Sequence, residues 1–91
     1  MTDPAHDAQR RVLNRLRRAQ GQLAAVITAV ESSKPCREVV IQLAATSKAL
    51  DRAGVMLVTT AMQECLTEPE ASRAENGSTP AEFEKLFMLF A

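Results

Sequence analysis

The chain has 91 residues, of which 46% are hydrophobic; Tyr and Trp are absent, and 11 basic residues balance 11 acidic ones. A chain this short forms one domain, residues 1–91, and no run approaches the 18 or so apolar residues of a membrane span. With one histidine, no glycine-rich phosphate loop and no acid–base pair in an evident pocket, an enzyme is not expected. The N-terminal segment Met1–Asp7 is acidic and lacks an apolar stretch, so a cytoplasmic protein is expected, in a reducing compartment that suits its two thiols.

Zero net charge conceals a dipolar chain. Up to Arg52 there are nine basic residues against five acids; the remainder holds two, Arg73 and Lys85, against six acids. The basic half can meet a polyanion although the isoelectric point near 6.6 does not advertise it.

Asp3 before Pro4 reads as an N-cap with proline at N1, and Ser32-Ser33-Lys34-Pro35 is the next break, which sets helix 1 at about 4–32. Leu13, Leu16, Leu23, Ile27 and Val30 recur at helical spacing with Val12 and Val26 beside them, so one stripe is expected to be buried. Arg11, Arg15 and Arg18 fall at i, i+4 and i+7 on another face beside Arg10 and Arg17, with no acid between Arg10 and Arg18. An arginine cluster without matching acids suits phosphate contacts. His6 reads as an exposed N-terminal residue.

Helix 2 is expected over about 35–66. Cys36, Val40, Leu43, Ser47, Leu50, Gly54, Leu57 or Val58, Ala61 and Cys65 alternate steps of three and four, a heptad-like seam whose midpoint lies near Leu50 and Asp51. Lys48 and Arg52 project off that seam. Both cysteines lie on it, 29 residues apart, which is roughly 43 Å of helix and too far for a shared site within one chain. An antiparallel pairing with a second copy brings each Cys36 to the partner's Cys65. Long helices in so small a chain leave apolar faces uncovered, so a homo-oligomer is expected.

A polar linker, 67–78, contains Pro69, Asn76 and Gly77. Thr79-Pro80-Ala81-Glu82 is a capping box with proline at N1, which starts a short helix 3 over about 79–90. Phe83, Leu86, Phe87 and Phe90 share one of its faces, and a helix this short must dock on the bundle or on a neighbouring dimer. The expected fold is therefore all-α, with two long helices and one short.

The segment Leu13-Asn-Arg-Leu-Arg-Arg-Ala-Gln-Gly-Gln-Leu23, then Cys36-Arg-Glu-Val, Gln42-Leu-Ala-Ala, Ala49-Leu-Asp-Arg-Ala-Gly54 and Glu64-Cys-Leu66, resembles the CsoR/RcnR family of small helical repressors over about residues 9–66. The resemblance implies an antiparallel four-helix-bundle dimer, usually a dimer-of-dimers tetramer, that binds double-stranded operator DNA without a helix-turn-helix. It further implies release of the operator when an inter-subunit cysteine site is occupied or modified. On the DNA side the resemblance and the basic face together nominate Arg11, Arg15, Arg18, Lys48 and Arg52, of which Arg15 and Arg52 lie inside the matching motifs.

Carried onto this chain, the family's sensing site uses Cys36 from one subunit and Cys65 from the other. Copper sensors of the family place a histidine one turn before the last cysteine, where this chain has Ala61, and a tyrosine beside the first, where it has Pro35. Cys-Ala-Cys resembles instead the persulfide-sensing branch. Cys36, in the first turn beside Arg37, sits where a helix dipole favours an anion and is the expected nucleophile, with the partner's Cys65 resolving the adduct. No cofactor is expected in that reading. The alternative is Cu(I) held by the same two thiolates, with His6 as a candidate third ligand.

Overall fold

A computed structural model of the protein describes residues 4–68, 70–71 and 77–90. Among these residues it is all-helical, with α1 at Pro4–Glu31, α2 at Cys36–Thr67 and α3 at Pro80–Phe87. Asp3, expected to cap α1, and Pro69 and Asn76 of the expected linker lie outside the described residues.

The break between α1 and α2 is built by backbone. The N–H of Lys34 donates to the Ala29 carbonyl at 3.0 Å and that of Ser33 to Val30 at 3.1 Å, while Ser33 takes the left-handed conformation with φ 55°. This is the Schellman closure that satisfies the last carbonyls of a helix, made here by serine where glycine is usual. Pro35 (φ −53°, ψ 136°) then opens α2, its carbonyl accepting from Glu38 and Val39 at 3.0 and 3.2 Å. A connection of four residues folds α2 back against α1 as an antiparallel hairpin.

Small residues form the contact between the two long helices. Among the described side chains, Val12, Ala19, Val26 and Ala29 are the buried residues of α1, and Thr46 and Ala53 those of the facing part of α2. Thr46 is polar but satisfied, its hydroxyl donating to the Gln42 carbonyl at 2.9 Å.

The expected stripe is divided in the single chain, with Val12 and Val26 buried. Leu13, Leu16, Leu23, Ile27 and Val30 are between 37% and 61% exposed in the single chain. Helix α1 has two apolar faces, and the narrow one lined with alanine and valine packs on α2 because it allows the backbones to approach closely. The large aliphatic side chains are left at the surface. So are Val40, Leu43, Leu50 and Leu57 of α2. The radius of gyration, 16.5 Å, exceeds the roughly 12 Å of a compact domain of this length.

Helix α3 starts as its sequence predicts. Thr79 Oγ1 accepts from the Glu82 N–H at 3.4 Å, and the Thr79 N–H donates back to Glu82 Oε1 at 3.0 Å. Its regular part ends at Phe87, short of the expected 90. Met88, Leu89 and Phe90 then continue through tighter i to i−3 bonds to Lys85, Leu86 and Phe87. The helix packs on α2, where Phe83 joins Val58, Ala61 and Cys65 in a buried cluster flanked by Met62, Phe87 and Phe90. None of the helices is long and apolar enough to cross a membrane, among the described residues.

Candidate functional site

Between α1 and α2 lies an open cleft of about 510 Å³, lined by Arg11, Asn14, Arg15, Arg18 and Gln22 from α1 and by Ala45, Lys48, Ala49, Arg52 and Met56 from α2. The antiparallel hairpin produces this directly, since it sets residues 11–22 of one helix against residues 45–56 of the other. All five basic residues singled out in the sequence thus line one cavity, and no acidic side chain is among its lining residues. Among the described residues the salt bridge is Arg10 to Asp7, at 3.3 Å, so none of the five is engaged by a carboxylate. Five cations sharing a cleft without counter-charges repel one another, and an anion relieves that repulsion. Asn14 and Gln22, which carry no charge and so stand out in no basic pattern, add amide donors to the same wall.

The two thiols sit in contrasting places. Cys36 is exposed at the first position of α2, and the preceding Pro35 provides no side-chain cap for the helix. Cys65 is buried, 4% exposed, with its Sγ donating to the Ser78 carbonyl at 3.9 Å. A single span of α2 separates them, so the chain does not bring them together.

The seam between them is divided. From Cys36 to Leu50 its apolar residues are exposed, whereas Val58, Ala61 and Cys65 are covered by α3 and Gly54 by the ring of Phe90, which follows α3. Ala61 is one of the buried residues of that cluster, so the space beside it is filled by apolar side chains of the same chain. His6 is exposed in the first turns of α1. Among the described residues no group of three His, Cys, Asp or Glu side chains in the single chain is placed to hold a metal ion.

Comparison with known proteins follows the same lines. Residues 8–90 match the family described as metal-sensitive transcriptional repressor. Over 67 residues the chain is 33% identical to the copper-sensing transcriptional repressor CsoR of Mycobacterium ulcerans (strain Agy99), covering 74% of this chain and 57% of that protein. A 39-residue stretch is 49% identical to the uncharacterized protein YrkD of Bacillus subtilis (strain 168), covering 43% of this chain and 62% of that one. The matches thus span about three-fifths of the length of these curated relatives. No solved structure matches. Since the family match runs over nearly the whole chain and embraces both cysteines and all five cleft cations, the protein belongs to the metal-sensitive transcriptional repressor family, the CsoR/RcnR family, whose members are repressors and not enzymes.

Proposed function

We propose that the protein is a repressor that binds double-stranded operator DNA through Arg11, Arg15, Arg18, Lys48 and Arg52, and releases it when Cys36 and Cys65 of the partner subunit react with a persulfide. The observation that carries the DNA half is the acid-free cleft. Arg11 to Arg18 cover about 10 Å of helix, the axial length over which one DNA strand carries about three phosphates.

The working form in this reading is a homodimer, doubled to a homotetramer. The surface of the single chain, 6965 Å², exceeds the roughly 5,200 Å² of a folded monomer of this mass. The excess is larger than the ~800 Å² that each partner of a standard interface buries. The exposed leucines of α1 and α2 supply its apolar part.

At the thiols, the Cys36 thiolate attacks the terminal sulfane sulfur of a low-molecular-weight persulfide. That sulfur is transferred to Cys36, and the donor leaves as a thiol. The Cys65 thiolate of the partner subunit then attacks Cys36 Sγ, an inter-subunit disulfide forms, and the transferred sulfur departs as hydrosulfide. Two thiols are oxidised and one sulfane sulfur is reduced, with no metal required. Apolar packing around Ala61 favours this chemistry over a site with a third ligand there.

The second reading is Cu(I) held by the same two thiolates, with His6 or a further thiol as a candidate third ligand. It is favoured by the family's description and by the similarity to a copper-sensing repressor.

Intact-mass analysis of the reduced protein after anaerobic exposure to polysulfide or to Cu(I), run beside operator-release titration, separates the two. A covalent dimer that has released the operator is the expected result. Release coupled to copper binding, with polysulfide inert, overturns the persulfide reading in favour of copper. A protein that shows no salt-dependent retention on duplex DNA overturns both. Cys36→Ala is expected to retain DNA binding and no longer respond to polysulfide.

A further inference from the structure

The cover over Cys65 has its own architecture. At one end the Cys65 thiol donates to the Ser78 carbonyl, at 3.9 Å, just before α3 begins. In the middle Phe83 packs beside the thiol in the buried cluster. At the far end the Phe90 ring lies directly on Gly54, so close that a Cβ at position 54 would overlap the ring. Gly54 is therefore a seat: the missing side chain is the space that the ring occupies. Ring and thiol are anchored on α2 eleven residues apart, about 16 Å of helix, so α3 is held along its length rather than at a point.

We propose that Phe90 seated on Gly54 is a latch that holds α3 as a lid over Cys65, making Phe90 a positioning residue that sets the rate at which Cys65 reacts while leaving Cys36 open. In the single chain Cys36 is exposed to solvent, whereas Cys65 is reached only through a local opening of α3. The two thiols therefore react in a fixed order. The lid also reads the state of the thiol, because the S–H donor to Ser78 disappears once Cys65 is alkylated, oxidised or metal-bound.

The lid is a property of the chain itself; its bearing on sensing rests on the Cys36 and Cys65 reading above. The test therefore uses neither DNA nor effector. The full-length reduced protein is treated with iodoacetamide, each thiolate displacing iodide to form an S–C bond as the thiol proton passes to buffer. Site-resolved rates are then read by peptide mass. In the unaltered protein Cys36 is expected to react at least about tenfold faster than Cys65, a ratio that a local opening penalty of about 1.4 kcal/mol already produces.

Phe90→Ala removes the ring and Gly54→Ala fills its seat, so each is expected to raise the Cys65 rate at least about tenfold and leave Cys36 unchanged. The double variant is expected to match the singles, since both break the same ring–glycine packing. Phe90→Leu, which keeps an apolar group, is expected to lie between. A Cys65 rate equal to that of Cys36 in the unaltered protein, or unmoved by both substitutions, overturns the proposal.

A second measurement holds even where a variant folds poorly. In the unaltered protein at urea concentrations below the unfolding transition, the Cys65 rate is expected to rise with a slope well below that of global unfolding, because a lid exposes little surface. A slope equal to the global one overturns the proposal as well.

Discussion

Arg15 of α1 and Arg52 of α2, far apart in the chain, line the same cleft, brought together by a hairpin whose turn is only four residues long. Neither is paired with a carboxylate among the described residues. Arg15→Ala and Arg52→Ala are each expected to weaken duplex binding roughly tenfold, within what charge-assisted hydrogen bonds contribute. Each is also expected to lower the salt slope of binding by about 1, the change for one phosphate left without its cation, as measured by anisotropy across a salt series. Sedimentation should find the oligomer unchanged, and a dissociated variant would place these residues in assembly instead.

Leu50 lies at the middle of the α2 seam and is 45% exposed in the single chain. In an antiparallel pairing it meets its own copy near the two-fold axis, so Leu50→Lys sets two like charges against each other. The expected outcome is a monomer by sedimentation whose far-UV helicity persists, since α1–α2 packing within the chain does not bury this residue. An intact oligomer would move the axis elsewhere.

Thr79 closes the capping box of α3 with Glu82. Thr79→Ala is expected to destabilise α3 by about 1 kcal/mol, as removal of an N-cap does. Amide exchange should quicken roughly fivefold at Phe83 to Phe87 and stay unchanged in α1 and the first half of α2. A uniform effect over all three helices would mean that α3 does not open by itself.

Ala61 is packed among Val58, Cys65 and Phe83. Ala61→His, which restores the ligand that copper sensors of the family carry, is expected to lower the stability of the metal-free protein by about 1–3 kcal/mol through overpacking and burial of a polar ring. Cu(I) should restore part of that stability, because binding to the native state alone raises it. Thermal unfolding with and without the ion reads both effects, and an unchanged midpoint in the metal-free variant would show the site to be roomier than its neighbours imply.

What could be read from the residues alone followed from local chemistry. Thr79-Pro80-Ala81-Glu82 names its own cap, and the spacing of Arg11, Arg15 and Arg18 defines a helix face whatever lies opposite. The partner of a face is a different matter. Periodicity marks both Val12/Ala19/Val26 and Leu13/Leu16/Leu23 as apolar, but the choice of which one meets α2 depends on how closely two backbones can approach. Ser33 hides the Schellman turn because glycine is its usual sign. The seat of Phe90 on Gly54 joins positions 36 residues apart, and no local pattern announces it.

The order in which these contacts become possible follows from the path of the chain. The turn at residues 32–35 makes the α1–α2 pairing topologically local, so the hairpin and its basic cleft can assemble without α3. Phe83 and Phe90 come later in the chain than the thiol they cover. Folding can therefore pass through a state in which the hairpin stands and Cys65 is bare, and the exposure of this thiol is greatest in that state rather than in the finished protein.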